Sequence, residues 1–544
     1  MRKRNFKNNI LFIISIVVLI FGSQSCNDFD ELNNDPTKWT KVDPNNQLTY
    51  VQLLTWGDWA PNYTYFSYQS SFVQQLQGEW NATNFGGLYK KDNERQKMLW
   101  DAIYTNPLKN IIDILSNTEG KPQYENIRAV ARIFKVYNFM LLTDTYGDIP
   151  YFEGAKGYAE LISTPAYDKQ EVIYKDFLKE LKEAEMTLGE GGGLITGDII
   201  YNGDINKWKR FANSLRLRVA MRMVYAEPQL AKDEVLEILL SSSGLILPNE
   251  DALVTYIDIN SWEGTEFRRN ALSQSWRSRE TYPNQTICST FWNFLRDSKD
   301  PRIFRIARCY VDLEGAKNDP WKRLDVTDEI MELKGWTYFQ PVMPGYTKWE
   351  KWPMGYNSPL AKKYLAIECR PQISNDFLKG DSPGVLMTYA ETQLLLAEAK
   401  VRWSELFSDA NTAEQYYKNG VTASMNLLLK YGVKSYSNTE ISDYFTANPF
   451  PTTMEDEIKT INEQLWVLHF TNPPEAYANW RRSRYPVLKP SSEYGKITFQ
   501  SDIIPTRLTY PFEESSYNKE SQKVALDAMG GTDDWNARVW WDKK

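Results

Sequence analysis

The chain has 544 residues, 42% hydrophobic and 24% charged, enough for a core of ordinary size and too apolar for disorder across its body. A net charge of −7 and a pI near 5.3 argue against a nucleic-acid partner, because phosphate recognition needs a basic surface. Aromatic residues make up 14%, with 19 Trp and 33 Tyr. Each Trp and Tyr carries a polar group that needs a partner when buried, so some are expected on a binding surface.

The N-terminus reads as an address. Arg2, Lys3, Arg4 and Lys7 precede an apolar run from Ile10 to Phe21, then Gly22-Ser23-Gln24-Ser25 and Cys26. The run is about 12 residues, too short to cross a bilayer that needs roughly 20. It therefore predicts a signal peptide over 1–25 rather than a membrane span. Cys26 falls where a bacterial lipoprotein is acylated, although Ser23 stands where the usual lipobox has Leu. Residues 26–40 are then the lipidated Cys and its polar tether, and 41–544 a single domain, for no linker-like stretch interrupts them.

Amphipathic stripes follow in order. Ile127, Val130, Phe134, Tyr137 and Leu141 recur at helical spacing. Tyr174 to Leu188 repeats the pattern after Asp168 and Glu171 at capping-box spacing. Trp208 to Met223 forms a third stripe with Asp204 as cap, and Leu386 to Val401 a fourth. The fifth runs from Asn411 to Leu429, with Asn411 as cap and Glu414 three residues on. The last two are joined by a short polar loop and predict an antiparallel hairpin, in which Ala390, Ala397 and Ala399 allow close approach. The fold class is mainly α, a tetratricopeptide-like scaffold of helix pairs without a strict 34-residue consensus.

Residues 244–380 break this periodicity and carry seven Trp: Trp262, Trp276, Trp292, Trp321, Trp336, Trp349 and Trp352. Long irregular segments in a compact domain are usually functional or mobile. A second aromatic stretch spans Trp56 to Trp80. The lone histidine, His469, sits in the apolar run Trp466–Phe470 and reads as a core residue. Cys288, Cys309 and Cys369 leave at least one free thiol beside Cys26, and the sequence does not choose a pair. No nucleophile, phosphate-loop or metal-ligand pattern is present; Gly191–Gly193 need only be a turn. No catalytic residue, metal or cofactor is expected.

Several segments together carry a family resemblance: Asp144-Thr145-Tyr146-Gly147-Asp148-Ile149-Pro150-Tyr151, Pro165-Ala166-Tyr167-Asp168, and Trp208 through Arg218. Thr388-Tyr389-Ala390-Glu391, Ala397-Glu398-Ala399, Trp480-Arg481-Arg482-Ser483, Pro505 to Pro511 and Trp540-Trp541-Asp542 continue it. The chain resembles the SusD/RagB family of outer-membrane nutrient-binding lipoproteins, in particular its second, SusD-like branch. These motifs read as structural: Arg216, Arg218, Arg481 and Arg482 are expected to pair with acids between helices, and Asn213 to satisfy backbone groups.

The resemblance implies cell-surface capture of an oligosaccharide, or in some members a peptide, without cleavage. It also implies delivery to a SusC-type TonB-dependent outer-membrane channel. Flat aromatic faces suit sugar rings, and amides and guanidiniums suit their hydroxyls. The candidate ligand-binding residues are Trp80, Asn81, Trp262, Trp276, Trp336, Tyr338, Trp349 and Trp352, chosen because they fall outside helical stripes; core packing is the alternative for each. A surface glycosidase would need only two of the 70 acidic residues, and no pair is singled out. A scaffold subunit with no ligand of its own is the remaining reading.

Overall fold

A computed structural model describes residues 42–78, 83–157, 159–261, 263–277, 286–312, 320–339, 341–344, 370–494 and 501–544. The helices that build the scaffold begin with α1 (Pro44–Gly57), α2 (Asn93–Ile103), α3 (Lys109–Asn117) and α4 (Glu125–Tyr146). They continue with α5 (Gln170–Thr187), α6 (Ile205–Arg222) and α7 (Pro228–Leu240). Two short helices, α8 (Ala271–Arg277) and α9 (Ser289–Asp297), interrupt the series. It resumes with α10 (Tyr389–Arg402), α11 (Ala413–Leu428), α12 (Asn438–Ala447), α13 (Met454–Leu468) and α14 (Pro473–Ser483).

Neighbours in sequence pack as neighbours in space: α3 on α4, α4 on α5, α5 on α6, α6 on α7, and α10 on both α11 and α13. This is the helix-pair scaffold the periodicity predicts. Side-chain caps start the helices: Asp204 accepts from Lys207 N at 3.1 Å, and Thr388 from Glu391 N at 3.1 Å. In α12, Ser437 and Glu440 form a complete capping box. Gly420 of α11 lies so close to α10 that a Cβ there would stand 2.7 Å from Leu394 Cγ. The hairpin contact thus rests on a missing side chain as much as on the alanines.

Four local expectations are corrected. Asp168 does not cap α5; its Oδ2 accepts from Tyr151 N and Phe152 N, and Asp148 Oδ1 takes the Gln170 N–H instead. The cap of α11 is Thr412, one residue past Asn411, accepting from Gln415 N at 3.1 Å. Leu386 lies in a strand rather than in the fourth helix, because Gly384–Met387 pairs antiparallel with Ala252–Val254. Among the described residues Arg481 pairs with no carboxylate directly: its Nη1 donates to the carbonyls of Asp144 (2.5 Å) and Thr506 (3.0 Å).

The other three arginines meet acids as expected. Arg216 pairs with Glu234 and Glu237, Arg218 binds both oxygens of Glu391 at 2.6 Å, and Arg482 both oxygens of Glu398 at 2.8 Å. Asn213 donates to the Gly244 carbonyl at 3.2 Å. Arg222 joins Glu475, and Trp541 Nε1 donates to Asp144 Oδ1 at 2.9 Å. Arg218, Glu391, Glu475, Arg222, Asp144 and Trp541, drawn largely from the family-like motifs, thus form one buried polar network. His469 is buried beside it, with Nε2 3.4 Å from Glu391 Oε2.

The end of α4 shows how long-range this network is. Gly147, at φ +91°, stops the helix, a conformation other residues rarely adopt. The carbonyls of Asp144, Thr145 and Tyr146, which have no partner within the helix, accept from Arg481 Nη1, Leu508 N and Arg507 Nε.

The described strands lie between residues 252 and 387, in three two-stranded antiparallel ladders. β1 (Ala252–Val254) pairs with β6 (Gly384–Met387), β2 (Ala307–Arg308) with β5 (Gln372–Ile373), and β3 (Tyr310–Asp312) with β4 (Arg323–Asp325). One continuous set of buried apolar side chains runs from Leu48 to Trp541 and includes this irregular part. Cys309 is disulfide-bonded, which the sequence left open. Cys288 is a free, buried thiol, and burial pushes its pKa up to about 12.

Candidate functional site

An aromatic cluster occupies the irregular region. Helix α9 supplies Trp292, the short helix Ile303–Ile306 supplies Phe304, and the turn Trp336–Tyr338 is followed by Phe339. Gly335, at φ +68°, allows the chain to leave helix Thr327–Lys334 and enter that turn at once. Trp336 stacks on Phe304 at 5.1 Å and 13°, while Trp292 and Phe339 lie behind at 5.1 Å from each other. Trp292 is buried, but Trp336 remains 37% exposed with one face already on Phe304. Trp292 and Phe339 stand 6.1 and 6.2 Å from Trp336, so the exposed part of the ring is backed by three other aromatic rings.

A second exposed ring, Trp321, is 42% accessible and has the Arg277 guanidinium 5.5 Å from its centroid. Trp321 was not among the candidates, since one more Trp in an irregular stretch carries no local mark of exposure.

Trp276 is a correction. It is 1% exposed in α8 and stacks on Phe470 at 5.7 Å, so it has no face left for a ligand and belongs to the core. Tyr338 shares the turn with Trp336. Trp80, Asn81, Trp262, Trp349 and Trp352 lie outside the described residues, as does Cys26.

The described ends beside those stretches converge. Residues 286–288 form a central rung: Thr286 bridges Gln372, Ile287 bridges Leu76, and Cys288 bridges Val342. Gln77 N donates to Thr286 O at 3.0 Å and Ser289 N to Val342 O at 2.7 Å. These contacts bring Leu76, Gln77, Val342 and Gln372 to one rung at the start of α9. Trp336 stands over the same helix.

The chemistry available here is binding chemistry: a ring face and polar loop groups. The strongly perturbed carboxylates sit elsewhere. Burial opposes ionisation of Glu398, but the guanidiniums of Arg482 and Arg402 hold it down at about 2. Glu391 is likewise held low, against its burial, by Arg218. Among the described residues no group of His, Cys, Asp and Glu is arranged to hold a metal ion, and no helix is long and apolar enough to cross a membrane.

A stacked-helix scaffold presenting a supported aromatic face on irregular loops defines a helical-repeat ligand-binding protein. Comparison with known proteins narrows the class. The family described as "Starch-binding associating with outer membrane" matches residues 36–334 and 336–511, and the chain belongs to this SusD-like family. A Bacteroidetes SusD-like structure is 34% identical, with a TM-score of 0.82, over 92% of this chain and 100% of that one. A structure described as a chitin-binding protein is also 34% identical over the same shares, with a TM-score of 0.76. A chitin-binding SusD homolog from Flavobacterium johnsoniae is 21% identical, covering 92% of this chain and 99% of its own, with a TM-score of 0.68; at that identity it speaks for the fold alone. No curated protein matches the chain.

Proposed function

We propose that this protein is a cell-surface lipoprotein that captures oligosaccharide and passes it, uncleaved, to a SusC-type TonB-dependent channel in the outer membrane. The observation that carries the reading is the partly exposed Trp336 ring stacked on Phe304, in a chain whose 34%-identical relative is described as chitin-binding. A pyranose ring presents C–H groups to such a face while loop amides take its hydroxyls. Trp80, Asn81, Trp262, Tyr338, Trp349 and Trp352 are proposed to complete the site.

Peptide capture by strand addition would need a long open sheet edge. The described strands are two to four residues long. The glycan reading is therefore preferred. A glycan array run beside a peptide pool tests it: binding of chitin- or starch-derived oligosaccharides with no product after long incubation is expected. Retention of peptides only, or release of shortened sugars, would overturn it.

A further inference from the structure

The α10–α11 hairpin, far in sequence from the aromatic loops, carries a groove of 680 Å³ where α11 meets the start of α10 and the loop at 248–251. Asn419, Thr422, Asn426 and Lys430 line it at spacings of three and four, so one face of α11 and its following turn forms a wall. Tyr389 forms the opposite side, its position fixed by Asp251 Oδ1, which accepts from Tyr389 N at 2.8 Å. The Tyr389 ring is only partly buried and, unlike Trp336, stacks on no other aromatic ring among the described residues.

The polar groups are aligned before any ligand arrives. Gln415 Nε2 donates to Asn419 Oδ1 at 2.9 Å, and Asn419 Nδ2 to Gln393 Oε1 at 3.3 Å. Among the described residues the Tyr389 hydroxyl and the side chains of Asn426 and Lys430 make no hydrogen bond or ion pair with the protein. The groove thus offers the partly exposed Tyr389 ring, amides that both donate and accept, and the Lys430 ammonium, which acts electrostatically on Asp251. Sugars match this set: they are apolar on a ring face and carry hydroxyls that donate and accept around the edge. Its volume lies within the ordinary range of ligand pockets, about 300–1,000 Å³.

We infer that this groove is a second carbohydrate-binding site, which takes one or two residues of a neutral oligosaccharide with a pyranose ring on Tyr389. The inference rests on the glycan reading above and adds a separate place for the ligand. Two weak sites on one chain favour polymers over short fragments, because the second contact becomes intramolecular.

Calorimetry on the full-length chain in detergent, titrated with chitohexaose and maltohexaose, tests it. Two binding events per chain are expected for at least one of the sugars. Tyr389→Ala and Asn426→Ala, the latter at an exposed position without a packing role, should each weaken one event fivefold or more and spare the other. Trp336→Ala should do the reverse. Retention on the matching insoluble polysaccharide should fall about tenfold in Tyr389→Ala, as loss of a linked contact requires. A single event abolished by Trp336→Ala and untouched by both groove variants would overturn the second site and leave the glycan reading intact. No binding of either sugar by the unaltered chain would overturn both.

Discussion

Arg482 meets Glu398 through two parallel hydrogen bonds of 2.8 Å each, joining α14 to α10 at side chains 1% and 0% exposed. Arg402 and Asn462 bind the same carboxylate, at 2.8 and 3.1 Å. Removing one member of such a set strands charge in a dry interior. Glu398→Ala is expected to cost about 3–5 kcal/mol in chemical denaturation, as for other buried pairs broken on one side. The double change Glu398→Met with Arg482→Met should cost less than Glu398→Ala alone. A loss under 1 kcal/mol, on the scale of an exposed pair, would show that the network is solvated.

The two tryptophans of opposite placement should behave in opposite ways. Trp336→Ala removes a half-open face worth about 1 kcal/mol to a stacked ring, so glycan affinity should fall several-fold with little change in Tm. Trp276→Ala empties a core position and should cost about 3–5 kcal/mol of stability. Thermal melts beside the glycan titration separate the two, and a stability loss in Trp336→Ala equal to that in Trp276→Ala would remove Trp336 from the site.

Acid should unfold the protein through its buried carboxylates, and the sign is set by their shifts. Glu398 titrates near 2 when folded, against about 4.3 for a free glutamate. Its contribution is complete above about pH 4.3 and is lost as pH falls from there through 2. Glu463 runs the other way: burial, only partly offset by Lys459, raises its pKa to about 7. A raised carboxyl disfavours the folded state above that pH and costs nothing below its unfolded value. Glu463→Gln should therefore raise Tm at pH 8 and leave it unchanged near pH 4, whereas Glu398→Gln should be most harmful at neutral pH. Equal effects of Glu463→Gln at both pH values would contradict the burial argument.

Cys26 should carry the lipid. Mass spectrometry of the mature N-terminus is expected to find a diacylated or triacylated cysteine, and Cys26→Ala to move the protein out of the membrane fraction. More than one chain is expected, since a single myristoyl-type chain anchors only marginally. A mature N-terminus at any other residue refutes the assignment.

Periodicity made α4, α6 and α11 legible in advance, because their apolar residues recur every three or four positions, although α6 buries every residue from Phe211 to Arg222 and not that stripe alone. It failed at Leu386, where Gly384–Met387 is buried throughout and a short apolar run reads the same for strand or helix. The cap was misplaced at Asn411 because Asp409, Asn411 and Thr412 stand close together, and at Asp168 because its carboxylate is taken by the backbone of Tyr151 and Phe152 from an earlier segment. Trp276 and Trp336 sit in equally aperiodic stretches. What separates them is Phe470, which closes over the first from a distant part of the chain and leaves no local trace. The convergence of loops on residues 286–288 has the same character: single bridges between far-separated segments follow no sequence pattern.

The satisfied end of α4 bears on how the chain is made. Asp144 and Tyr146 receive their donors from Arg481, 337 positions later, Arg507, 361 positions after Tyr146, and Trp541, 397 positions after Asp144. A polypeptide emerging from its N-terminus can wind α4 early but cannot close its C-terminal turn or shield Asp144 until almost everything else has been synthesised. Folding of this kind is slow to commit, because loop closure must precede the contacts that reward it. The nascent chain remains threadable while it grows, so the geometry that locks the finished molecule also keeps it open for passage through a narrow pore on the proposed route out of the cell.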